Sequence, residues 1–314
     1  MTRLSELTTI RVGGEPGKLL FADTKEELVT FAKQVWADTD KWLILGCGSN
    51  VVASDDVSDY QVVLVETKGI SVEGGLVTVQ AGEIWGSFVD LANQNGWAGI
   101  ESLAGIPGTV GASPIQNIGA YGQEVSSVID SVEFLDYELG EVIVLDNEFC
   151  GFGYRDSVFK RGRVGVVLSV TFRFGKADPA ELIARSEEVV DLRRSKGMVL
   201  DKSDHDTWSC GSFFMNPLVS ESFARTLPLD APQWEVGDQV KLSAAWLIEQ
   251  AGLSKGYALP GSKAAISTKH ALAITNRGGA TSQEVVELAR YIQETVANRF
   301  GVSLVPEPNL IGFS

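Results

Sequence analysis

Histidine is nearly missing from this chain: among 314 residues only His205 and His270 are of that type, and the pattern GxSxG does not occur. No Ser-His-Asp hydrolase signature can be assembled from these residues. Cysteine is equally sparse. Cys47, Cys150 and Cys210 are odd in number, far apart and without metal-ligand spacing, which excludes a zinc motif and fits free thiols in a reducing compartment. No segment approaches the ~20 apolar residues of a membrane span, and the start MTRLSELTTIRVGG lacks an apolar core of signal-peptide length. The expectation is a cytoplasmic protein with no membrane insertion. Basic residues are outnumbered, 26 against 41 acidic ones, giving a net charge of -15. Nucleic acid and anionic membrane are disfavoured as principal partners, although a locally basic pocket could still take a phosphorylated small ligand. Neither a P-loop nor a helix-opening GxGxxG is present.

What is present is ordinary apolar content, 44%, on a chain long enough for two or three domains. Thr24 and Glu27 make a capping box, and Leu28, Phe31, Ala32 and Val35 form the stripe of a helix packed on a sheet. Short strands are expected at 43–45, 62–65 and 77–80, the last two separated by a turn at Gly74-Gly75, followed by a helix over 87–95 that Gly96 ends. Residues 128–136 and 141–145 read as a hairpin turning at 138–140, and 164–174 as a long β run. Asp178 caps a helix that opens on Pro179 and extends to about Lys196. Beyond it, 242–250 reads as a helix, 272–275 as a strand and 282–300 as a long helix boxed by Thr281 and Glu284 and closed by Gly301. The tail VSLVPEPNLIGFS is strand-like.

Residues 105–124, GIPGTVGASPIQNIGAYGQE, fit none of these patterns. Five glycines and two prolines exclude a regular helix or central strand, while Ile106, Val110, Ile115, Ile118 and Tyr121 are too apolar for a linker. A buried loop whose bare backbone lies against a large, partly apolar ligand resolves the conflict, and a cofactor is the obvious candidate. The competing reading is an irregular loop that packs inward. A second glycine turn, GCGSN at 46–50, comes directly after a short strand. Its backbone amides could nest a phosphate, or it could be a plain tight turn.

Four further places could carry chemistry. Arg155, in GYRDS, could clamp a carboxylate or form a structural ion pair with Asp156 or another acid. Ser212, in GSFFMNP, offers a hydroxyl between a glycine and two phenylalanines that could equally be core residues. Arg193, Arg194 and Lys196 form the densest basic cluster, suited to a phosphate or to the end of a helix dipole. Glu307 is held between Pro306 and Pro308 and could handle a proton or be a solvated tail residue. His270 could make a polar contact in a pocket or simply sit at a strand edge.

Taken in order, TTIRVGG, LGCGSN, AGIPGTVGASPIQNIGAYGQE, GYRDSVFK, GSFFMNP, KLSAAWLIEQAG and VPEPNLIG resemble the motifs of the UDP-N-acetylenolpyruvoylglucosamine reductase (MurB) family over nearly the full chain. The resemblance implies an α+β architecture: a vanillyl-alcohol-oxidase (PCMH)-type FAD-binding fold of two subdomains, 1–68 and 69–200, and an α+β substrate-binding domain, 201–306. A tail, 307–314, would return to the active site. It implies non-covalent FAD as cofactor, and NADPH and UDP-N-acetylglucosamine enolpyruvate as partners. The enzyme would be an oxidoreductase acting on a CH–CH bond with NADP as acceptor, making UDP-N-acetylmuramate for the bacterial cell wall. A monomer or weak oligomer is expected.

By motif position, Gly46, Cys47, Gly48, Ser49 and Asn50 would nest the FAD pyrophosphate. Pro107, Gly108, Thr109, Gly111, Ser113 and Pro114, together with Ile118, Gly119, Ala120 and Tyr121, would line the flavin and adenine-ribose channel. Arg155 and Glu307 would bind and polarise the substrate carboxyl group, and Ser212 would protonate the α-carbon. Arg193, Lys196, Asn216 and His270 would contact the nucleotide sugar. One departure stands out. The long form of the family carries a tyrosine-bearing loop just after the long β run, where this chain has only FGKADPAEL. The closing contact is then absent or supplied elsewhere. Two alternatives remain: another flavin oxidoreductase on the same scaffold, oxidising an alcohol or hydroxy acid and open to a cysteinyl link through Cys47 or Cys150, or a nucleotide-binding regulatory module without turnover.

Overall fold

In the computed structural model, which describes residues 2–228 and 230–313, the Thr24 hydroxyl accepts from Glu27 N and the Glu27 carboxylate reaches back to the Thr24 amide. This reciprocal cap starts the helix Lys25–Asp38, which buries Leu28, Ala32 and Val35 on one face. That face covers a parallel three-stranded sheet in the order Lys18–Ala22, Gln61–Val65, Trp42–Leu45. These elements belong to the first of two units, made of Pro16–Gly48 and Ser58–Arg194; the second is made of Met1–Glu15, Ser49–Val57 and Ser195–Ser314.

The rest of the first unit is built on a five-stranded antiparallel sheet ordered Val142–Asp146, Ile129–Asp136, Gly165–Phe172, Leu76–Gln80, Ile70–Glu73. Its middle strand is buried on both faces, which explains the nearly unbroken apolar run GVVLSVTF. Val166 and Leu168 join the core under the Lys25–Asp38 helix. Val167, Val170 and Phe172 join a second core with Trp85, Phe88 and Val89 of the helix Trp85–Gln94. Full burial of each such aromatic or aliphatic side chain is worth about 1.5–3 kcal/mol.

Two differences from the sequence reading have simple causes. Residues 62–65 and 77–80 do form strands but lie in different sheets, and the partner across Gly74-Gly75 is an additional strand, Ile70–Glu73. That strand is an edge with all four residues exposed, so it carries no burial pattern to read. The long run also stops at Phe172. Gly175–Lys176 then pairs with Trp97–Ala98, and Phe174 stacks on Trp97 at 5.8 Å, so the segment that lacks the tyrosine loop is tied down along its own unit. It leads into the helix Pro179–Ser195, where the Asp178 carboxylate accepts from Ala180 N at 2.9 Å.

The second unit joins both ends of the chain. Its core gathers Ile10, Val12 and Val52 with Phe213, Phe214, Leu247 and Ile248, and with Val285, Leu288 and Ile292 of the helix Ser282–Phe300. Thr281 and Glu284 form the expected box and Gly301 closes the helix at φ 68. Asn309–Ile311 pairs in parallel with Val51–Ala53, and the Ser282 amide and hydroxyl both donate to Asp55 Oδ2 at 2.9 Å. A three-stranded antiparallel sheet ordered Leu218–Ser220, Gln239–Leu242, Gln233–Val236 was not expected. It takes Leu242 from the predicted helix, which begins instead at Ala244 because Ser243 accepts from Trp246 N as its cap. The predicted strand at 272–275 shifts to Ile274–Asn276, since the Leu272 amide is committed to His270 Nδ1. No helix among the described residues is long and apolar enough to cross a membrane.

Candidate active site

Backbone approach shapes the glycine-rich loop of the first unit. The Gly111 amide donates to Ala81 O at 2.9 Å, and a Cβ on Gly111 would lie 2.5 Å from the Ala81 Cβ. Val110 N donates to Glu83 O and Trp85 N to Gly108 O, locking the loop against the 81–85 segment. Thr109 is buried there and touches the second glycine turn, since a Cβ on Gly46 would meet Thr109 Oγ1 at 2.6 Å. Gly48, in the same turn, has φ 56 and Cys47 is half-buried, with burial pushing its thiol pKa up against the opposing pull of Lys68. The Gly48–Ser49 step carries the chain into the second unit.

Further along, Ser113 is 1% exposed and donates to Val110 O, while Ile118 N donates to Ser113 O and its carbonyl accepts from Val125 N. Pro114 O accepts from Asn117 N. Asn117 holds the loop shut: its Nδ2 donates to Glu124 Oε2 and to Gly153 O, both at 3.0 Å, and its Oδ1 accepts from Ser126 N. The sequence reading had no role for this residue, although an asparagine before Ile-Gly in a glycine-rich stretch is a signal for left-handed backbone. Its φ is 46, and that of Tyr121 is 49.

Arg155 is the third non-glycine residue of this region with positive φ, 53, at the tip of a turn closed by mutual hydrogen bonds of Gly153 and Asp156. Such backbone costs of order 1–3 kcal/mol and persists only where the surroundings over-determine it. Here Arg155 Nη2 donates to Gly119 O at 2.5 Å, Lys160 donates to the Arg155 carbonyl, and the guanidinium lies 5.4 Å from the Tyr154 ring centre. A Cβ on Gly119 would come within 2.9 Å of Arg155 Nη1. Asp156, the neighbouring candidate for an ion pair with Arg155, pairs with Arg161 instead. Arg193 adds a second guanidinium beside Gly105. Its Nε is buried without a hydrogen-bond partner, and burial, reinforced by the like charge of Arg155, lowers its pKa.

In the second unit three separate segments line up. Gly211, at φ 73, turns the chain into Ser212, and the next two residues, Phe213 and Phe214, are buried anchors. The Glu307 amide donates to Phe213 O at 2.9 Å and Phe213 N donates to Leu272 O at 2.7 Å. Met215 N donates to Val305 O, and Phe214 forms a bridge with Pro306. Ser212 and Glu307 thus lie on paired segments, and His270 sits two residues before the third. Asn50 Nδ2 donates to the Glu307 carbonyl at 3.2 Å. Asn216 Oδ1 braces the start of the helix Ala244–Gln250 by accepting from Ala244 N at 2.9 Å. Leu272 N donates to His270 Nδ1 at 3.0 Å, so the ring carries its proton on Nε2. Lys196 is exposed, just past the helix Pro179–Ser195 and across the unit boundary from Arg193.

Comparison with known proteins separates along the same line. A family model described as an FAD binding domain matches residues 16–146, and one described as UDP-N-acetylenolpyruvoylglucosamine reductase, C-terminal domain, matches 202–311. The UDP-N-acetylenolpyruvoylglucosamine reductase of Leifsonia xyli subsp. xyli is 46% identical, across 99% of this chain and 98% of its own. The chain belongs to the UDP-N-acetylenolpyruvoylglucosamine reductase family. The enzyme of the same name from Mycobacterium sp. (strain MCS) is 42% identical across 98% and 95% of the two chains. The crystal structure of the Thermus caldophilus reductase (MurB) superposes with a TM-score of 0.74 at 28% identity, covering 98% of this chain and 97% of that one. FAD is the cofactor of this reductase; Gly46 and Gly111 lie where any Cβ would collide with Thr109 or Ala81, so glycine there lets the two glycine-rich turns of the FAD binding domain pack closely. The Gly48 turn suits a phosphate through its backbone amides.

Proposed function

We propose that Arg155, Ser212 and Glu307 carry the chemistry of this FAD-dependent reductase, which uses NADPH to convert UDP-N-acetylglucosamine enolpyruvate into UDP-N-acetylmuramate for peptidoglycan. Bound FAD supplies two-electron hydride transfer from the nicotinamide to the enolpyruvyl β-carbon. The protein must manage the negative charge that develops at the α-carbon and its carboxyl group. Arg155 does so with a fixed guanidinium fork, held by its bond to Gly119 O and by the turn that presents it. Glu307 presents its carboxyl from a backbone fixed at both amide and carbonyl. It helps only when protonated or sharing a hydrogen bond, which a desolvated pocket favours. Ser212 delivers the proton to the α-carbon as general acid.

The observation that supports this assignment best is the 2.9 Å bond from Glu307 N to Phe213 O, which sets the acid-bearing tail beside the serine segment. Gly46 to Asn50, and 107–121 with Asn117 as their brace, hold non-covalent FAD; Arg193, Lys196, Asn216 and His270 hold the nucleotide sugar. The division into 1–68, 69–200 and 201–306 with a returning tail, a cytoplasmic location and a monomeric or weakly associating state complete the reading. Ser212→Ala tests it in anaerobic single-turnover measurements. Flavin bleaching by NADPH should keep its rate, while recolouring on addition of the enolpyruvyl substrate slows ~10²-fold or more, as expected for a lost general acid. Equal slowing of both half-reactions would assign Ser212 to shaping the site instead.

A further inference from the structure

The turn that carries His270 is fastened by a carboxylate that lies outside every family motif. Asp206 belongs to the short helical turn His205–Thr207. Its Oδ2 accepts from Ser267 Oγ at 2.9 Å and from Thr268 Oγ1 at 2.8 Å, and its Oδ1 accepts from Thr268 N at 3.0 Å. Ser267 is 1% exposed and passes the constraint on: having donated to Asp206, its hydroxyl accepts from Lys269 N at 3.0 Å and from His270 N at 3.2 Å. Asp204 steadies the other side, taking Lys269 Nζ at 2.6 Å and the Asp206 amide at 3.0 Å. Residues 267–273 belong to no helix or strand; backbone bonds from Ser267 N to Ala273 O and from Ala273 N to His270 O close the turn, and these side-chain bonds fix its 267–270 half.

The turn delivers a defined chemical form. Because Leu272 N donates to Nδ1, the imidazole has one tautomer with its N–H at Nε2. The same Leu272 accepts from Phe213 N through its carbonyl, so the ring is held in register with the segment of Ser212 and Glu307. The Asp206 carboxylate spends its lone pairs on hydroxyl and amide donors, so it orders the turn without pairing with the imidazole.

We infer that Asp206 is a positioning residue for substrate recognition, holding the 267–270 turn so that the His270 ring is aimed at the diphosphate of the nucleotide sugar. This rests on the assignment of His270 to that substrate. The holoenzyme with Asp206→Asn tests it. An amide cannot accept at both of its atoms, so the turn loosens. KM for the enolpyruvyl substrate should rise about tenfold with kcat retained, the loss of one charge-assisted hydrogen bond. UDP alone, as a probe of diphosphate binding, should weaken to match. In ¹⁵N spectra the unprotonated Nδ1 signal of His270 should move toward the tautomer average. His270→Ala should raise KM similarly, and the double variant should be no worse than His270→Ala, since one pathway has already been removed.

Additive effects in the double variant, or an unchanged KM for Asp206→Asn while His270→Ala raises it, would overturn the positioning role. A His270→Ala enzyme with unaltered KM and UDP binding would instead overturn the assignment of His270, and the inference with it. Should Asp206→Asn fail to fold, Thr268→Val removes one donor at an exposed position and should show the same KM rise at smaller size; no rise there counts against the proposal.

Discussion

The two units hold their candidate residues by opposite means. In the first, shape is stored in the backbone: bare glycines against Ala81 and Thr109, and positive φ at Asn117, Tyr121 and Arg155. In the second, the segments of Ser212 and Glu307 are held by amide-to-carbonyl pairing, and His270 by side-chain bonds within its turn. A cofactor bed has to admit a large flat ligand close to main chain, so it excludes side chains; a proton-handling site has to aim side chains, so it needs frames that resist rotation.

Four changes bear on that contrast. The largest effect should come from Gly111→Val, which forces new atoms into the Ala81 backbone; purified protein should carry little FAD, seen as lost absorbance near the flavin bands, and lose stability by about 3 kcal/mol or more through overpacking. Full flavin content would mean that the glycine is not part of the bed. Next, Arg155→Ala should lower kcat with the enolpyruvyl substrate by ~10²–10³-fold, the usual loss for a transition-state charge donor, while flavin content is kept. Arg155→Lys sharpens the point, because it keeps the charge and loses the fork, and should recover only part of the rate. Asn117→Ala should cost less, about 1–3 kcal/mol of stability from the stranded Ser126 amide and the lost bonds to Gly153 O and Glu124, read in denaturant unfolding with and without added FAD.

The smallest effect is electrostatic and lies away from the site. Asp136 is buried, which raises its pKa, but amide donation from Leu139 and Glu138 and the Arg163 ion pair outweigh burial and leave it lowered. A lowered folded-state pKa gives stability that is fully present above the unfolded value of about 3.9 and is lost as pH falls through the folded value. Urea midpoints should fall between about pH 5 and pH 2 in the parent and less steeply in Asp136→Asn. Equal slopes would show that Asp136 is not among the groups responsible.

The same contrast explains what could be read in advance. Thr24, Thr281, Gly301 and the hairpin turn at Gly140 act through neighbours three or four positions away, so local chemistry placed them. The glycine-rich loop announced a large ligand because its composition contradicts both core and linker. Ser212 and Glu307 announced nothing locally: their meaning comes from a backbone pairing between distant segments, and only the resemblance of several motifs in order pointed to them. Asp206 was invisible for the same reason, its partners lying sixty-odd residues on. The edge strands Ile70–Glu73 and Gln233–Val236 were missed because exposed strands need not alternate.

The way residues 1–15 and 49–57 join the unit formed by 195–314 has a consequence for synthesis. On the ribosome these two early segments emerge long before their partners exist, and Ile10, Val12 and Val52 must wait for the last third of the chain to find a core. The parallel pair Val51–Ala53 with Asn309–Ile311 can close only when almost the whole polypeptide has been released. The first unit can gather its own strands earlier, so nascent chains should pass through a state with one folded body and two apolar tethers, the stage at which chaperone engagement or aggregation is decided.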